Sequence, residues 1–467
     1  MIGRTLVVLL SGASLAACTL APTYERPALA VSNGWSAPAS PASGVSAADL
    51  GWKEVYLDPR LRGVIDLALE ENRDLRVAVL NVEKARALYG VQRSALVPGV
   101  GLNGAASRAR TPGDLSATGS AIETEQVTAT VGFSAYELDL FGRVRSLNAS
   151  ALQSFFAADE NSRAAQISLV AETATAWLTL AADQDLLALA RETLATREEA
   201  LKLTRQRAEI GAASQLDVRQ AETLTEQARA DVAAFESQTG RDLNALRLLV
   251  GMDVPASLLP SGGLLAMDAA IREDLPAGLP SDVLVNRPDV LAAEHALKAR
   301  NADIGAARAA FFPRISLTGQ TGFGSTELSG LFGGGTGMWS FSPQISLPIF
   351  DGGANLANLR GARADRDIAV ATYEKTVQVA FREVSDALTV RAFIATQIAA
   401  QERAVAAAAE AERLSRLRYE QGIDSYLILL DAQRTHYGAQ QALISLKVAQ
   451  ASNLATLYRA LGGGAWG

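Results

Sequence analysis

The stretch RAEIGAASQLDVRQA (residues 207–221) returns as RYEQGIDSYLILLDA (residues 418–432). Arg207, Glu209, Gly211, Ser214, Leu216 and Ala221 are answered by Arg418, Glu420, Gly422, Ser425, Leu427 and Ala432. Upstream, RDLRVAVLNVEKARALYGVQRSALVP (73–98) and DVLAAEHALKARNADIGAARAAFFP (289–313) keep Gly90/Gly305, Arg93/Arg308 and Pro98/Pro313 in step, and Gly251 matches Gly462. A duplication on this scale sets the architecture before any single residue is read. Each copy is expected to carry two amphipathic strands between helical stretches. The first copy covers 59–250, with strands near 100–107 and 126–136. The second covers 287–462, with strands near 314–323 and 338–349. Between them, residues 251–286 hold Pro255, Pro260, Gly262, Gly263, Pro276, Gly278 and Pro280 and read as an irregular joint.

Helical periodicity begins near Pro59, continues through Leu96 and stops at Pro98. Residues 143–210 contain neither proline nor glycine, which predicts one helix approaching about 100 Å at ~1.5 Å per residue. A second long helix is expected over about 354–421. Short glycine-containing turns at Gly211 and Gly422 fold each long helix back on the next, giving two antiparallel hairpins. The alanine-rich, aromatic-poor composition (49% hydrophobic, 6% aromatic) suits long helices whose axes approach closely.

The strands alternate with period two. Val127, Ala129, Val131, Phe133 and Ala135 oppose Gln126, Thr128, Thr130, Gly132, Ser134 and Tyr136. Ile315, Leu317, Gly319, Thr321 and Phe323 oppose Arg314, Ser316, Thr318, Gln320 and Gly322. Trp339, Phe341, Ile345, Leu347 and Ile349 oppose Ser340, Ser342, Gln344 and Ser346. This is the dyad of a transmembrane barrel strand, and Trp339 and Phe341 suit an interfacial girdle. A half-buried strand in a soluble sheet shows the same alternation; the N-terminus weighs toward the barrel. Arg4, an apolar run over residues 6–15 and Leu15-Ala16-Ala17-Cys18 resemble a bacterial lipoprotein signal. On that reading residues 1–17 are removed and Cys18 carries covalent lipid. Thr19, rather than aspartate, follows it, which points to the outer membrane. Residues 18–58, rich in Pro, Ala and Ser, read as an extended lipidated linker.

Cys18 is the only cysteine, so no intrachain disulfide holds the fold. No later run is long and apolar enough for a transmembrane helix, so entry into a membrane must be by strands. Four strands cannot close a barrel, and open edges are not tolerated in lipid. The chain must therefore oligomerise; three protomers, giving twelve strands, are the geometric choice, and two would close in principle. The net charge of −7, with both signs interspersed, argues against nucleic acid. His295 and His436 stand apart from further metal ligands. Glu198-Glu199 and Asp183/Asp185 read as solvated helical faces rather than acid–base pairs. The run Gly333–335 lacks the helix and lysine of a phosphate loop. No residue pattern supports catalysis, and no cofactor is expected beyond the lipid.

LVNRPDV (284–290), AAFFPRISL (309–317), LPIFDGG (347–353), YEQGIDSYL (419–427) and LDAQR (430–434), together with the Leu15–Cys18 motif, resemble the TolC-type outer-membrane factors, in particular their lipoprotein (NodT-like) branch. As an ordered set they cover about residues 15–463. The resemblance implies a mixed α/β homotrimer in a Gram-negative outer membrane. A twelve-stranded β-barrel would cross the lipid, continued by an α-helical tunnel with an equatorial domain. It implies a passive exit duct for drugs or other small solutes, with a periplasmic adaptor and an inner-membrane pump of the resistance-nodulation-division class as partners. It also places a periplasmic gate at Leu427, Asp431 and Arg434, which share one helical face at i, i+4 and i+7. On a threefold axis these would supply an apolar plug, a carboxylate ring and a latch. The alternative is that Leu427 is a coiled-coil seam residue and Asp431/Arg434 a solvated pair. The turns at Gly211, Ser214, Gly422 and Ser425 would face the adaptor. Two other functions stay open: a type I protein-secretion duct, disfavoured by Cys18, and a pore-free lipid-anchored scaffold.

Overall fold

The computed structural model describes residues 19–28, 31–32, 34–35, 50–117, 119–267, 270–275 and 284–463. The expected targeting segment 1–17 and the expected lipidation site, Cys18, lie outside the described residues. The elements are α1 (Trp52–Val55), α2 (Pro59–Glu71), α3 (Arg73–Ser94), β1 (Val100–Thr111), β2 (Ile122–Leu138), α4 (Arg143–Glu209) and α5 (Gln215–Val250). They continue with α6 (Pro288–Ala309), β3 (Arg314–Ser325), β4 (Gly337–Ser346), α7 (Ala354–Glu420) and α8 (Tyr426–Ala460). The duplication is legible in their lengths. α3 and α6 have 22 residues each, α4 and α7 have 67 each, and α5 and α8 have 36 and 35.

The helical pattern over 59–96 is divided between two helices, α2 and α3, the second beginning at Arg73. Asn72 is buried between them: its side-chain oxygen accepts from the Leu75 amide at 2.7 Å and its amide donates to the Leu249 carbonyl at 2.7 Å. A short side chain that serves donors of the next helix stops one helix and starts another, without proline or glycine. At the front, Asp58 caps α2 by accepting from the Arg60 and Leu61 amides, with Pro59 in the first turn.

The chain divides into two compact units, one of 1–28, 81–159 and 292–373, the other of 29–80, 160–291 and 374–467. The first unit holds a four-stranded antiparallel sheet in the order β1-β2-β3-β4. The first three strands run longer than alternation suggested, and β4 stops at Ser346, leaving Leu347 and Ile349 beyond it. Directly opposed residues of an antiparallel ladder share a face. Val100, Leu102 and Ala106 oppose Phe133, Val131 and Val127, and Phe133 and Ala129 oppose Gly319 and Phe323. Trp339, Phe341 and Ile345 then oppose Thr321, Gly319 and Ile315, which completes one apolar face across all four strands. Asn103/Thr130, Ala105/Thr128 and Gln320/Ser340 mark the polar face.

One residue changes sides. The β2–β3 register shifts between Phe133 and Tyr136, with Ala135 at φ 53°. This bulge sets Tyr136 opposite Leu317 and Leu138 opposite Ile315, so Tyr136 belongs to the apolar face rather than the polar one. Glu137 takes the polar side, where it pairs with Arg143 at 2.7 Å and Arg314 at 2.7 Å. Phe341 lies mid-strand, in one row with Gly319, Phe133 and Val100.

The second unit is built around Trp177, Tyr56, Tyr458, Leu61, Ile65, Leu246 and Leu275, all buried. Trp177 satisfies its indole N–H on the Leu258 carbonyl at 2.9 Å, as a buried tryptophan must. Part of the expected linker belongs here. Val55 and Leu57 bridge to Arg272 and Ala270, and Trp35 stacks on Phe381 at 5.3 Å. These few apolar residues lack any period, so their burial leaves no trace in sequence. The buried Arg287 donates to Asp289 at 2.7 Å, Glu383 at 2.9 Å and the Ala460 carbonyl at 2.6 Å. It thereby ties the start of α6 to α7 and the end of α8.

The Asp183/Asp185 pair is not a solvated face. Asp185 accepts from the Leu265 amide at 2.8 Å and clasps the joint segment. Asp183 faces Asp242 across α4 and α5, while Gln238 donates to Asp242 at 2.8 Å. Burial, and then the Asp242 carboxyl, push Asp183 up to about 7. A carboxyl raised in the folded state stabilises the fold only while protonated, so stability falls as pH climbs from about 4 through 7. Asp183→Asn is therefore expected to raise the thermal midpoint most above pH 7, with the gain vanishing toward pH 4. Melting curves at pH 4, 6 and 8 check this; an equal shift at every pH contradicts it.

Candidate functional site at the hairpin turns

Both turns end their long helices the same way. Gly211 (φ 77°) and Gly422 (φ 71°) take the left-handed conformation that side chains resist. The Ala212 amide returns to the Arg207 carbonyl and the Ile423 amide to that of Arg418, while Gly211 and Gly422 bond to Ala208 and Tyr419. This paired pattern satisfies carbonyls that would otherwise be orphaned.

The following helices start differently. Ser214 Oγ accepts from the Asp217 amide at 3.1 Å, and Asp217 accepts from the Ser214 amide at 2.9 Å, a reciprocal capping box. Ser425 makes no side-chain cap. There Arg418 grips Asp424 through two bonds of 2.5 and 2.9 Å and holds its carboxyl below the usual range.

The two hairpins meet through Tyr426, Leu429 and Leu430 of α8, buried on Leu201, Val218, Ala221 and Leu224 of the first copy. Arg207 stands over the Tyr419 ring at 5.2 Å, and Tyr419 packs on Tyr426. Tyr426, Leu429 and Leu430 fill the helix–helix seam, so Leu427 is not a seam residue. It points away and is 59% exposed, with Asp431 and Arg434 exposed on the same face. Among the described residues neither Asp431 nor Arg434 makes an ion pair within the protomer. The charge of Arg434 also bears on Arg197, a buried cation that donates to the Leu224 carbonyl at 3.0 Å and lies over Tyr437. Burial lowers the pKa of Arg197 and Arg434 adds to it. The first copy offers Leu216, Gln220 and Thr223 at the equivalent positions, with no charge.

Among the described residues no cluster of acidic, histidine or cysteine side chains could hold a metal. His295 Nδ1 lies 2.7 Å from Gln153, and His436 Nδ1 lies 2.8 Å from Glu412, which Arg416 also binds. Glu198 pairs with Arg229 at 2.7 Å.

The family model described as outer membrane efflux protein matches residues 64–252 and 279–463, both copies of the duplication. The chain belongs to the outer membrane efflux protein family. It is 47% identical to the toluene efflux pump outer membrane protein TtgC of Pseudomonas putida, covering 96% of this chain and 93% of that one. It is 46% identical to outer membrane protein OprJ of Pseudomonas aeruginosa, covering 98% and 95%. The crystal structure of the open state of the Neisseria gonorrhoeae MtrE outer membrane channel matches with a TM-score of 0.84 at 42% identity, over 96% and 98%. This efflux protein is an outer-membrane channel of the TolC type, from a family of ducts rather than enzymes.

The efflux protein carries one feature its sequence hid. Residues 19–28 are not free linker but a strap along α6. Arg308 donates to the Leu20 carbonyl at 2.9 Å and Asn301 to that of Pro22 at 2.7 Å. Arg26 and Tyr24 bind the buried Glu294, whose carboxyl these contacts and Lys298 hold low against its burial. Gly305 admits the strap, since a Cβ there would come within 2.8 Å of the Ala21 amide nitrogen. The partners lie some 270 residues apart or more in sequence, and nothing local announces them.

The unequal caps give a direct test. Ser214→Ala is expected to weaken the first turn of α5 by about 1 kcal/mol, whereas Ser425→Ala should barely alter α8. Amide hydrogen exchange at the two turns reads this; equal effects would contradict the asymmetry.

Proposed function

We propose that three copies of this chain close a twelve-stranded barrel through the outer membrane, and that the protein is the passive, gated exit duct of a tripartite efflux pump. One observation carries the reading. A four-stranded sheet with one continuous apolar face and one polar face ends in two unpaired edges, β1 and β4. In lipid those edges must find partners, and a ring of identical copies supplies them. Apolar residues then meet lipid, while Asn103, Thr128 and Gln320 line water. The long hairpins α4–α5 and α7–α8 are the periplasmic, helical part of such a duct.

The strap supports lipidation of Cys18. Thr19 Oγ1 lies 3.1 Å from Ser146 Oγ, and Leu20 is held by Arg308, six residues before β3 begins. Acyl chains on the preceding cysteine would leave the protein beside the end of the sheet, where the bilayer starts. The cargo is a small solute: toluene is named for one relative, and small, polar tunnel walls suit many compounds. An adaptor protein, facing the turns at Gly211, Ser214, Gly422 and Ser425, and an energised inner-membrane pump complete the system. Relatives named as efflux pump components favour this over a protein-secretion duct.

Leu427, Asp431 and Arg434 form the resting gate. Their exposure on one face, and the lack of an ion-pair partner for either charge among the described residues of the protomer, support a contact that the assembled ring completes. Asp431→Ala combined with Arg434→Ala is expected to raise the resting conductance of single channels in planar bilayers several-fold over wild type. Unchanged conductance in both polarities would contradict the gate. No conductance from either protein would contradict the duct.

A further inference from the structure

The segments just past the two sheet edges are built to meet one another. Beyond β4, Ile349 and Phe350 are 96% and 92% exposed, the most exposed large apolar side chains among the described residues. They are held firmly. The Asp351 carboxylate accepts from the Gly353 amide at 2.9 Å and the Asn355 amide at 2.8 Å, and Asn355 donates to the Ala310 carbonyl at 3.3 Å. An ordered turn thus presents two apolar side chains to no partner among the described residues of its own chain. Before β1, Val97 is exposed, and the last turns of α3 leave Leu88 and Val91 exposed as well.

Geometry links the two. β1 leaves this end of the sheet and β4 returns to it, so pairing β4 with the β1 of another copy is antiparallel, as for every other pair in the sheet. β4 has 10 residues and β1 has 12. Full pairing leaves a slack of two positions, and either extreme brings Ile349 and Phe350 beside residues 96–99 of the neighbour. We infer that the Ile349–Phe350 knob of one copy seats on the apolar shelf of Leu88, Val91 and Val97 of the next copy, closing the ring below the strands. The contact is head-to-tail, so repeating it around the axis leaves no free knob and no free shelf. It rests on the ring reading above and adds to it a side-chain contact that strand pairing alone does not require.

Two single variants, Val97→Cys and Phe350→Cys, are made in the full-length chain and co-expressed in one cell. Oxidation is expected to give a covalent dimer from the mixture and none from either variant alone, which also controls for Cys18. Phe350→Asp is expected to lower the heat-resistant oligomer about tenfold, while Phe350→Leu retains it. An oligomer of normal size that neither cross-links nor responds to Phe350→Asp overturns the knob and leaves the ring standing. A wild-type chain that stays monomeric in detergent overturns both.

Discussion

A backbone amide or carbonyl that faces hydrocarbon has no water to turn to. That constraint governs this molecule. β1 and β4 each present one unpaired edge, and the sheet is apolar on one side from Val100 to Ile345. A single copy is therefore an incomplete structure whose edges specify what must be added. The bulge at Ala135 serves the same end. By shifting the register it keeps Tyr136 and Leu138 on the apolar side down to the end of β2, and frees Glu137 to gather Arg143 and Arg314 on the other.

Away from the sheet, the two copies use one plan with different details. Both turns rely on a left-handed glycine and the same pair of backbone bonds. Copy one commits Asp217 to its own helix cap and carries no charge at Leu216, Gln220 and Thr223. Copy two holds Asp424 with Arg418 and leaves Asp431 and Arg434 without an ion-pair partner among the described residues of the protomer. Tyr426, Leu429 and Leu430 bind the second tip to the first, so Leu427 and its companions face outward by exclusion.

Periodic features were legible in the sequence: the duplication, the glycine turns, the alternating strands and the shared face of Leu427, Asp431 and Arg434. What stayed hidden depends on partners far along the chain or on single residues without a signature. Asn72 breaks a helix because Leu249 receives its amide, 177 positions away. Ala135 bulges where a glycine would have announced it. Asp183 looked solvated because Asp242 lies on another helix, and the strap looked free because α6 lies more than 260 residues on. Charge and burial of single groups are tertiary facts, which periodicity cannot carry.

The most direct test of the closure argument is the mass of the purified, detergent-solubilised protein by native mass spectrometry. Three copies per particle are predicted, with no stable monomer or dimer. A particle of one or two copies that still conducts in bilayers would contradict the account, because its sheet edges would then have to be satisfied in some other way.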